Sequence, residues 1–183
     1  MEEIPYVNLS AQWGEEREEL LPIIEKVLAS GQYVAGKEVS DYENEISEAF
    51  DVEHVVAVNS GTDALVFGLT ALGIGPGDEV ILPSLTYISS ANVVLYTGAT
   101  PVLCDNNLDT FNVEPGHIQQ KITKRTKAFM TVDLKGMPVD YDAFNNLSKQ
   151  TGITFISDSA ESLGAEYKNN KVGSQAFASS FSF

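Results

Sequence analysis

The stretch that decides the fold is "HVVAVNSGTDALVFGLTALGIGPGDEVILP", residues 54–83. It begins with a β-branched run at 54–58, which predicts a short strand. Leucines then recur at helical spacing, and a Gly-Pro-Gly sequence is typical of the loop that ends such a helix. The apolar run at 79–83 predicts the next strand. The stretch therefore reads as one strand–helix–strand unit.

The same alternation continues to the end of the chain. Further strands are predicted at 100–105, 127–134 and 153–159, with helical patterns between them. The last five residues, "SSFSF", alternate small polar and aromatic side chains, which predicts a final strand at 179–183. Repeated strand–helix units predict an α/β protein with a mostly parallel central sheet covered by helices on both faces. Ligands of such sheets bind at the carboxyl ends of the strands.

Two helices are predicted ahead of this region. "ELLPIIEKVLAS" carries an apolar helical stripe, and Gly31 follows it as a C-cap. Ser40 and Glu43 have the spacing of a capping box, which predicts that a second helix begins at Ser40. We therefore divide the chain into an N-terminal helical lead, 1–53, and an α/β region, 54–183.

Composition excludes several classes of function. The formal net charge is −15, and residues 1–53 alone hold 14 acidic and 3 basic residues. An acidic chain is a poor partner for nucleic acid or an anionic membrane. No secretory signal pattern opens the sequence, and one cysteine, Cys104, fits a reducing cytoplasm. Two isolated histidines, His54 and His117, show no metal-site spacing, so we expect no metal.

One candidate site follows the first predicted strand. In "NSGTDAL" (59–65), Gly61 allows close approach of the backbone, and Ser60 and Thr62 supply hydroxyl groups. The helix that opens here offers free N–H groups to an anion, which predicts a phosphate site. An ordinary N-cap would give the same pattern, and both readings stay open at this point.

Two other residues follow predicted strands. Asp158 ends a buried strand among small neighbours, where a carboxylate needs a partner such as a protonated cofactor ring nitrogen. The alternative is a carboxylate that caps a nearby turn. Tyr87 follows the strand at 79–83, and its ring could stack on a planar cofactor or simply pack against the protein. Cys104 is expected to be a buried, unreactive thiol.

Taken together, the motifs occur in a familiar order. The chain resembles the N-terminal part of the large domain of DegT/DnrJ/EryC1/StrS-type sugar aminotransferases, on the motifs "NSGTDAL", "GIGPGDEVILPSLTY", "GATPVLCD", "DSAESLGAEYKNNKVGS" and "FSF". The resemblance implies an incomplete large domain of the pyridoxal 5'-phosphate-dependent transferase fold type I, with three α/β/α layers. It implies transfer of an amino group, from a donor such as glutamate, to a nucleotide-linked keto sugar by a cytoplasmic homodimer.

The resemblance also assigns roles to individual residues. Gly61, Thr62 and Ser182 match positions that hold the cofactor phosphate, and Tyr87 matches the aromatic residue that stacks on the ring. Asp158 matches the acid that pairs with the ring nitrogen.

Two positions depart from the usual pattern. Glu161 matches a position near the ring hydroxyl at which many family members have Gln or His. Lys135 stands where an aromatic residue is usual, and a substrate contact there stays open.

The lysine that would form a Schiff base with the cofactor is expected four residues beyond Phe183, together with the rest of the large domain and the small domain. Because that position decides the chemistry, two alternatives stay open. One is a sugar dehydratase of the same fold, and the other is a non-catalytic binding or regulatory homologue.

Overall fold

A computed structural model describes residues 4–183, so residues 1–3 of the predicted helical lead lie outside the described residues. The chain divides into two compact units, Met1–Glu45 and Ile46–Phe183. Their boundary falls inside a helix, and the division into domains at 53/54 stays a prediction. None of the helices in residues 4–183 combines the length and apolar character that a membrane crossing requires.

The first unit contains α1, Leu9–Ser30, and most of α2, Lys37–Phe50. Gly31 ends α1 in the left-handed conformation, with φ at 70°, which confirms the predicted C-cap. The predicted start of α2 at Ser40 is wrong, because the helix begins three residues earlier. The Ser40 hydroxyl donates to the Lys37 carbonyl at 2.9 Å and so lies inside the first turn instead of capping it.

The second unit is built on a parallel sheet with helices between its strands. Its helices are α3 Gly61–Ala71, α4 Ile88–Tyr96, α5 Pro115–Gln119 and α6 Tyr141–Thr151. Its strands are β1 Glu79–Pro83, β2 Thr100–Cys104, β3 Thr126–Val132, β4 Thr154–Asp158, β5 Glu166–Tyr167, β6 Asn170–Lys171 and β7 Ala178–Ser180. Five of them form one sheet in the order β2-β1-β3-β4-β7, and β5 and β6 form a separate hairpin.

Every strand pair of the large sheet is parallel, as predicted. Successive strand residues point to opposite faces, so each strand contributes to two cores. Val80 and Met130 pack with α3 and α4, while Ile81 and Phe129 pack with α5 and α6. The sheet is therefore the middle of three layers, and the carboxyl ends of its strands form one edge.

Two predicted strands are wrong in whole or in part. Residues 54–58 form no strand in the described part of the chain, and Val56 is 77% exposed. The final strand covers Ala178–Ser180 instead of 179–183. Beyond it the Phe181 ring packs against Phe50 at a centroid distance of 5.2 Å, so the chain leaves the sheet before Ser182.

Candidate functional site

Gly61 and Ser182 meet at the carboxyl edge of the sheet. Gly61 opens α3, and its carbonyl accepts a hydrogen bond from the Ser180 hydroxyl at 3.2 Å. A Cβ atom on Gly61 would lie 2.8 Å from the Ser182 Cβ and 3.0 Å from the Phe181 carbonyl oxygen. Only glycine fits this contact without displacing the backbone. The end of the chain is thereby held against the N-terminus of α3.

The first turn of α3 leaves donors for an anion. Ser60 takes up two of the turn's amides, because its hydroxyl accepts from Asp63 N at 3.1 Å and its carbonyl from Ala64 N at 3.0 Å. Among the described residues, the Gly61 and Thr62 amides stay available at the positive end of the helix dipole. Ser60 therefore acts as an N-cap, and the phosphate site stays a prediction that this N-cap does not exclude.

Thr62 brings in a residue that the sequence analysis missed. Its hydroxyl donates to the Ser89 Oγ at 3.1 Å, which links α3 to the first turn of α4. Ser89 is half-buried and precedes Ser90 in a run of small polar residues after Tyr87. The two adjacent serines could have indicated a polar site, but in the sequence they are equally typical of the first turn of a helix.

Asp158 is the most unusual group of the site. It is the last residue of β4, and 5% of its surface is exposed. Its carboxylate accepts one hydrogen bond from the Ser90 hydroxyl at 2.8 Å and one from the Ala160 amide at 3.3 Å. Burial raises the pKa of the Asp158 carboxyl, and the nearby charges of Asp133 and Glu161 act in the same direction. The two hydrogen bonds only partly offset this. A cation placed against Asp158 would stabilise its charged form.

A second buried acid, Asp133, follows β3 and was not predicted. Its Oδ1 accepts from Val139 N at 2.9 Å, and its Oδ2 accepts from Tyr141 at 2.7 Å and from three serines. These are Ser157 at 3.2 Å, Ser159 at 2.9 Å and Ser162 at 3.3 Å. Ser157 and Ser159 flank Asp158 and point away from it, so the two acids lie on opposite faces of the sheet.

The remaining predicted residues lie near this edge and are exposed. Tyr87 immediately precedes α4 and is 72% exposed, so its ring is not packed in the hydrophobic core. Glu161 follows Asp158 by three residues, and its Oε2 accepts from Lys135 N at 2.6 Å. Cys104, by contrast, is buried as expected, and burial raises the pKa of its thiol to about 11.

The geometry thus joins some predicted residues directly and others only through neighbours. Gly61 and Ser182 are in contact, and Thr62 continues the same helical turn. Asp158 is tied by Ser90 to the helix that Tyr87 precedes. Within residues 4–183, no three His, Cys, Asp or Glu side chains are grouped to hold a metal ion. The edge combines the N-terminus of α3 with a buried carboxylate.

The parallel sheet and this edge define an α/β protein that presents a helix N-terminus and a buried acid on one ligand-binding side. The sequence model of the DegT/DnrJ/EryC1/StrS aminotransferase family matches residues 14–183. The chain therefore belongs to that family, and the expected fold class is confirmed.

Individual relatives are similar over nearly the whole chain. The dTDP-3-amino-3,4,6-trideoxy-alpha-D-glucose transaminase of Streptomyces venezuelae is 41% identical over 98% of this chain and 48% of its own length. The GDP-perosamine synthase of Caulobacter vibrioides is 41% identical over 100% of this chain and 49% of its own.

A solved structure gives the same result. The crystal structure of S. venezuelae DesV in complex with a ketimine intermediate has a TM-score of 0.97 and 40% identity, and the match covers 100% of this chain and 49% of that one. The chain spans about half the length of the curated relatives it matches.

Proposed function

We propose that this chain binds pyridoxal 5'-phosphate and belongs to an enzyme that transfers an amino group to a nucleotide-linked keto sugar. The observation that carries the proposal is Asp158, a buried carboxylate with a single side-chain hydrogen-bond donor, on the same sheet edge as the Gly61–Ser182 contact. A ligand that is cationic at one end and anionic at the other would satisfy both features. Protonated pyridoxal phosphate has this charge distribution.

The phosphate would be held at the start of α3. The amides of Gly61 and Thr62 point to the helix N-terminus, and the hydroxyls of Thr62 and Ser182 lie beside them. Such a site binds a phosphate with backbone dipoles and hydroxyl groups and needs no lysine. The close approach of Ser182 to Gly61 explains why a side chain at position 61 would obstruct the site.

The ring would lie between Tyr87 and the end of β4. Asp158 would hold the proton on the ring nitrogen, because a buried carboxylate strongly favours an adjacent positive charge. The Ser90 hydroxyl donates to that carboxylate and would orient it, and Glu161, which accepts from the Lys135 amide, would lie near the ring hydroxyl. When bound, the cofactor supplies an electron sink for the substrate carbon that loses or gains the amino group.

The substrate class is proposed from the relatives. One of the two relatives described above is named a transaminase of a dTDP-linked amino sugar and the other a GDP-perosamine synthase, which favours a nucleotide-linked keto sugar as acceptor here. We propose glutamate as the amino donor, a homodimer as the active assembly and the cytoplasm as the location. Neither nucleic acid nor a membrane is proposed as a partner of a chain with a net charge of −15.

Cofactor binding can be measured on this chain without turnover. Pyridoxamine 5'-phosphate binds without a covalent bond, so equilibrium dialysis against it tests the site directly. We expect saturable binding, and at least tenfold weaker binding of unphosphorylated pyridoxamine, since charge-assisted hydrogen bonds contribute about 1.5–3 kcal/mol. Equal affinity for the two ligands, or no binding of either, would refute the phosphate assignment.

Activity is tested on the full-length protein. With pyridoxal phosphate, glutamate and a panel of dTDP-, GDP- and UDP-linked keto sugars, we expect one acceptor to yield 2-oxoglutarate and amino sugar in equal amounts. Loss of water from the sugar without 2-oxoglutarate would indicate a dehydratase instead. Cofactor binding without turnover of any sugar would favour the regulatory alternative.

A further inference from the structure

We propose that the Lys135 ammonium is a specificity-determining group that binds an anionic oxygen of the substrate. The proposal rests on the proposed function, because it assigns a further part of the same site. The anionic oxygen belongs either to the diphosphate of the nucleotide-linked sugar or to a carboxylate of the amino donor, and the experiment below separates these sources.

Lys135 has a singular position among the basic residues. The chain contains 11 lysines and arginines. Within residues 4–183, Lys135 is the only one of them that lies within five residues after the carboxyl end of a strand of the five-stranded sheet. Strand β3 ends at Val132, and ligands of parallel sheets bind at that end. A single positive charge is thus placed on the ligand side of a strongly acidic protein.

The backbone at Lys135 is strained and is held in place. Its φ and ψ angles are 55° and 30°, in the left-handed region that glycine adopts most easily. The Asn112 side chain fixes both sides of the turn, accepting from Leu134 N at 3.3 Å and donating to the Met137 carbonyl at 2.8 Å. Glu161 accepts the Lys135 amide itself. Strained residues of this kind concentrate at functional sites, where surrounding contacts enforce them.

The Lys135 ammonium is positioned without being neutralised. It lies 5.3 Å from the centroid of the Phe111 ring, a cation–π contact that holds the charge and leaves its N–H groups exposed. Among the described residues no carboxylate forms an ion pair with it, whereas four other bases each have an acidic partner: Lys37, Arg125, Lys168 and Lys171. An unpaired, oriented cation is suited to bind an external anion.

The turn is also connected to the proposed cofactor site. Glu161, which binds the Lys135 amide, comes three residues after Asp158 in the chain. The Lys135 turn is therefore hydrogen-bonded to the segment that follows β4, and the Asp133 amide, two residues before Lys135, donates to the Asp158 carbonyl at 3.1 Å. A substrate that reaches the cofactor edge would pass near the ammonium, and its anionic group would be selected there.

Three variants test the proposal in the chain loaded with pyridoxamine 5'-phosphate. Lys135→Gln removes the charge and Lys135→Arg keeps it. Lys127→Gln is the matched control, because Lys127 is an exposed lysine at the amino end of the same strand. Isothermal titration at low salt with dTDP and, separately, with glutamate measures binding of the two anion classes.

For Lys135→Gln we expect about tenfold weaker binding of one probe, the size of a single charge-assisted contact. Lys135→Arg and Lys127→Gln should stay within about threefold of the wild type. Loss of dTDP binding identifies the sugar diphosphate as the anion, and loss of glutamate binding identifies the donor carboxylate. Wild-type affinity of Lys135→Gln for both probes, or no binding of either probe to the wild type, would overturn the proposal.

Failure of the proposed function gives a different result. If the wild type does not bind pyridoxamine 5'-phosphate, the cofactor assignment is wrong, and the same titrations on the unloaded chain still decide the role of Lys135. In all three variants the affinity for pyridoxamine 5'-phosphate should equal that of the wild type. A parallel loss of cofactor affinity in Lys135→Gln would show that Lys135 supports the cofactor site and would overturn its assignment as a substrate-anion contact.

Discussion

Two buried carboxylates end neighbouring strands, and they differ in how their charges are satisfied. Asp133 is fully buried and accepts five hydrogen bonds from one amide and four hydroxyls. Asp158 is 5% exposed and accepts two. Since a carboxylate can accept about four hydrogen bonds, Asp133 has no capacity left and Asp158 does.

The difference separates Asp133, whose hydrogen bonds support the fold, from Asp158, the acid that we propose binds the cofactor. The Asp133 hydrogen bonds hold together the end of β3, the start of α6 and the turn after β4, on the face opposite Asp158. This fixes the backbone that carries Asp158 while leaving the Asp158 carboxylate open to an external cation. Substitution of Asp133 should therefore mainly lower stability, whereas substitution of Asp158 should mainly weaken ligand binding.

The largest effect is expected for Asp133→Ala. Removing the carboxylate leaves four buried hydroxyls and an amide without their acceptor, so we expect the free energy of unfolding to fall by about 3–5 kcal/mol. Urea denaturation measures this. Ser162→Ala, which removes one donor at 3.3 Å, is the control and should lose about 1 kcal/mol. A loss below 1 kcal/mol for Asp133→Ala would contradict the structural role.

The next effect compares two glycines of α3. Gly61→Ala places a Cβ 2.8 Å from Ser182, so stability should fall by about 1–3 kcal/mol and binding of pyridoxamine 5'-phosphate at least tenfold. Gly68→Ala meets no atom within 4 Å and should gain about 0.5–1 kcal/mol, with cofactor affinity unchanged. If the two variants had similar stability and similar affinity for pyridoxamine 5'-phosphate, the close contact between Gly61 and Ser182 would be wrong.

A smaller effect is expected for Lys135→Gly. Glycine adopts the left-handed backbone at this position without strain, so the free energy of unfolding should rise by about 1 kcal/mol, while binding of the substrate anion weakens. Thermal denaturation and the titrations described above measure the two changes. If Lys135→Gly were less stable than the wild type, the Lys135 side chain would stabilise the fold, and the strain inferred at this position would be wrong.

The smallest effect concerns pH. Because burial raises the folded-state pKa of Asp158, the folded chain binds its proton more tightly than the unfolded chain. The contribution of Asp158 to the free energy of unfolding should therefore fall as the pH rises from 3.8, the ordinary pKa of an aspartate, through the raised pKa of Asp158 in the folded chain. Subtracting the urea stability of Asp158→Asn at each pH isolates this contribution. A difference that grows in favour of the wild type with rising pH would have the wrong sign.

Much of the fold could be predicted because local pattern and burial agree. The strands at 79–83 and near 100, 127 and 153 are apolar and buried between two helical layers, so their sequences alone identify them. The run at 54–58 looks similar, but it lies outside the described five-stranded sheet and lacks the burial that the other strands share, since Val56 is 77% exposed. The strand predicted from "SSFSF" ends before Phe181, because the Phe181 ring packs against Phe50 instead of continuing the strand.

The candidate site was predicted less completely. Gly61, Thr62 and Asp158 stand at the ends of regular elements, where sequence position implies a shared edge. Asp133 stands in an equivalent place, but its role depends on four hydroxyls contributed from 141–162, and such a network is visible only in three dimensions. The hairpin of β5 and β6 was missed because its short polar strands carry no apolar alternation.

The central claim is that Asp158 holds the proton on the ring nitrogen of the cofactor. The most direct test is the NMR shift of the isotope-labelled ring nitrogen of pyridoxamine 5'-phosphate bound to the wild type and to Asp158→Asn. At a pH at which the free ligand has lost its ring proton, we predict a protonated ring in the wild type and an unprotonated ring in Asp158→Asn. The same ring-nitrogen shift in both proteins would contradict the account.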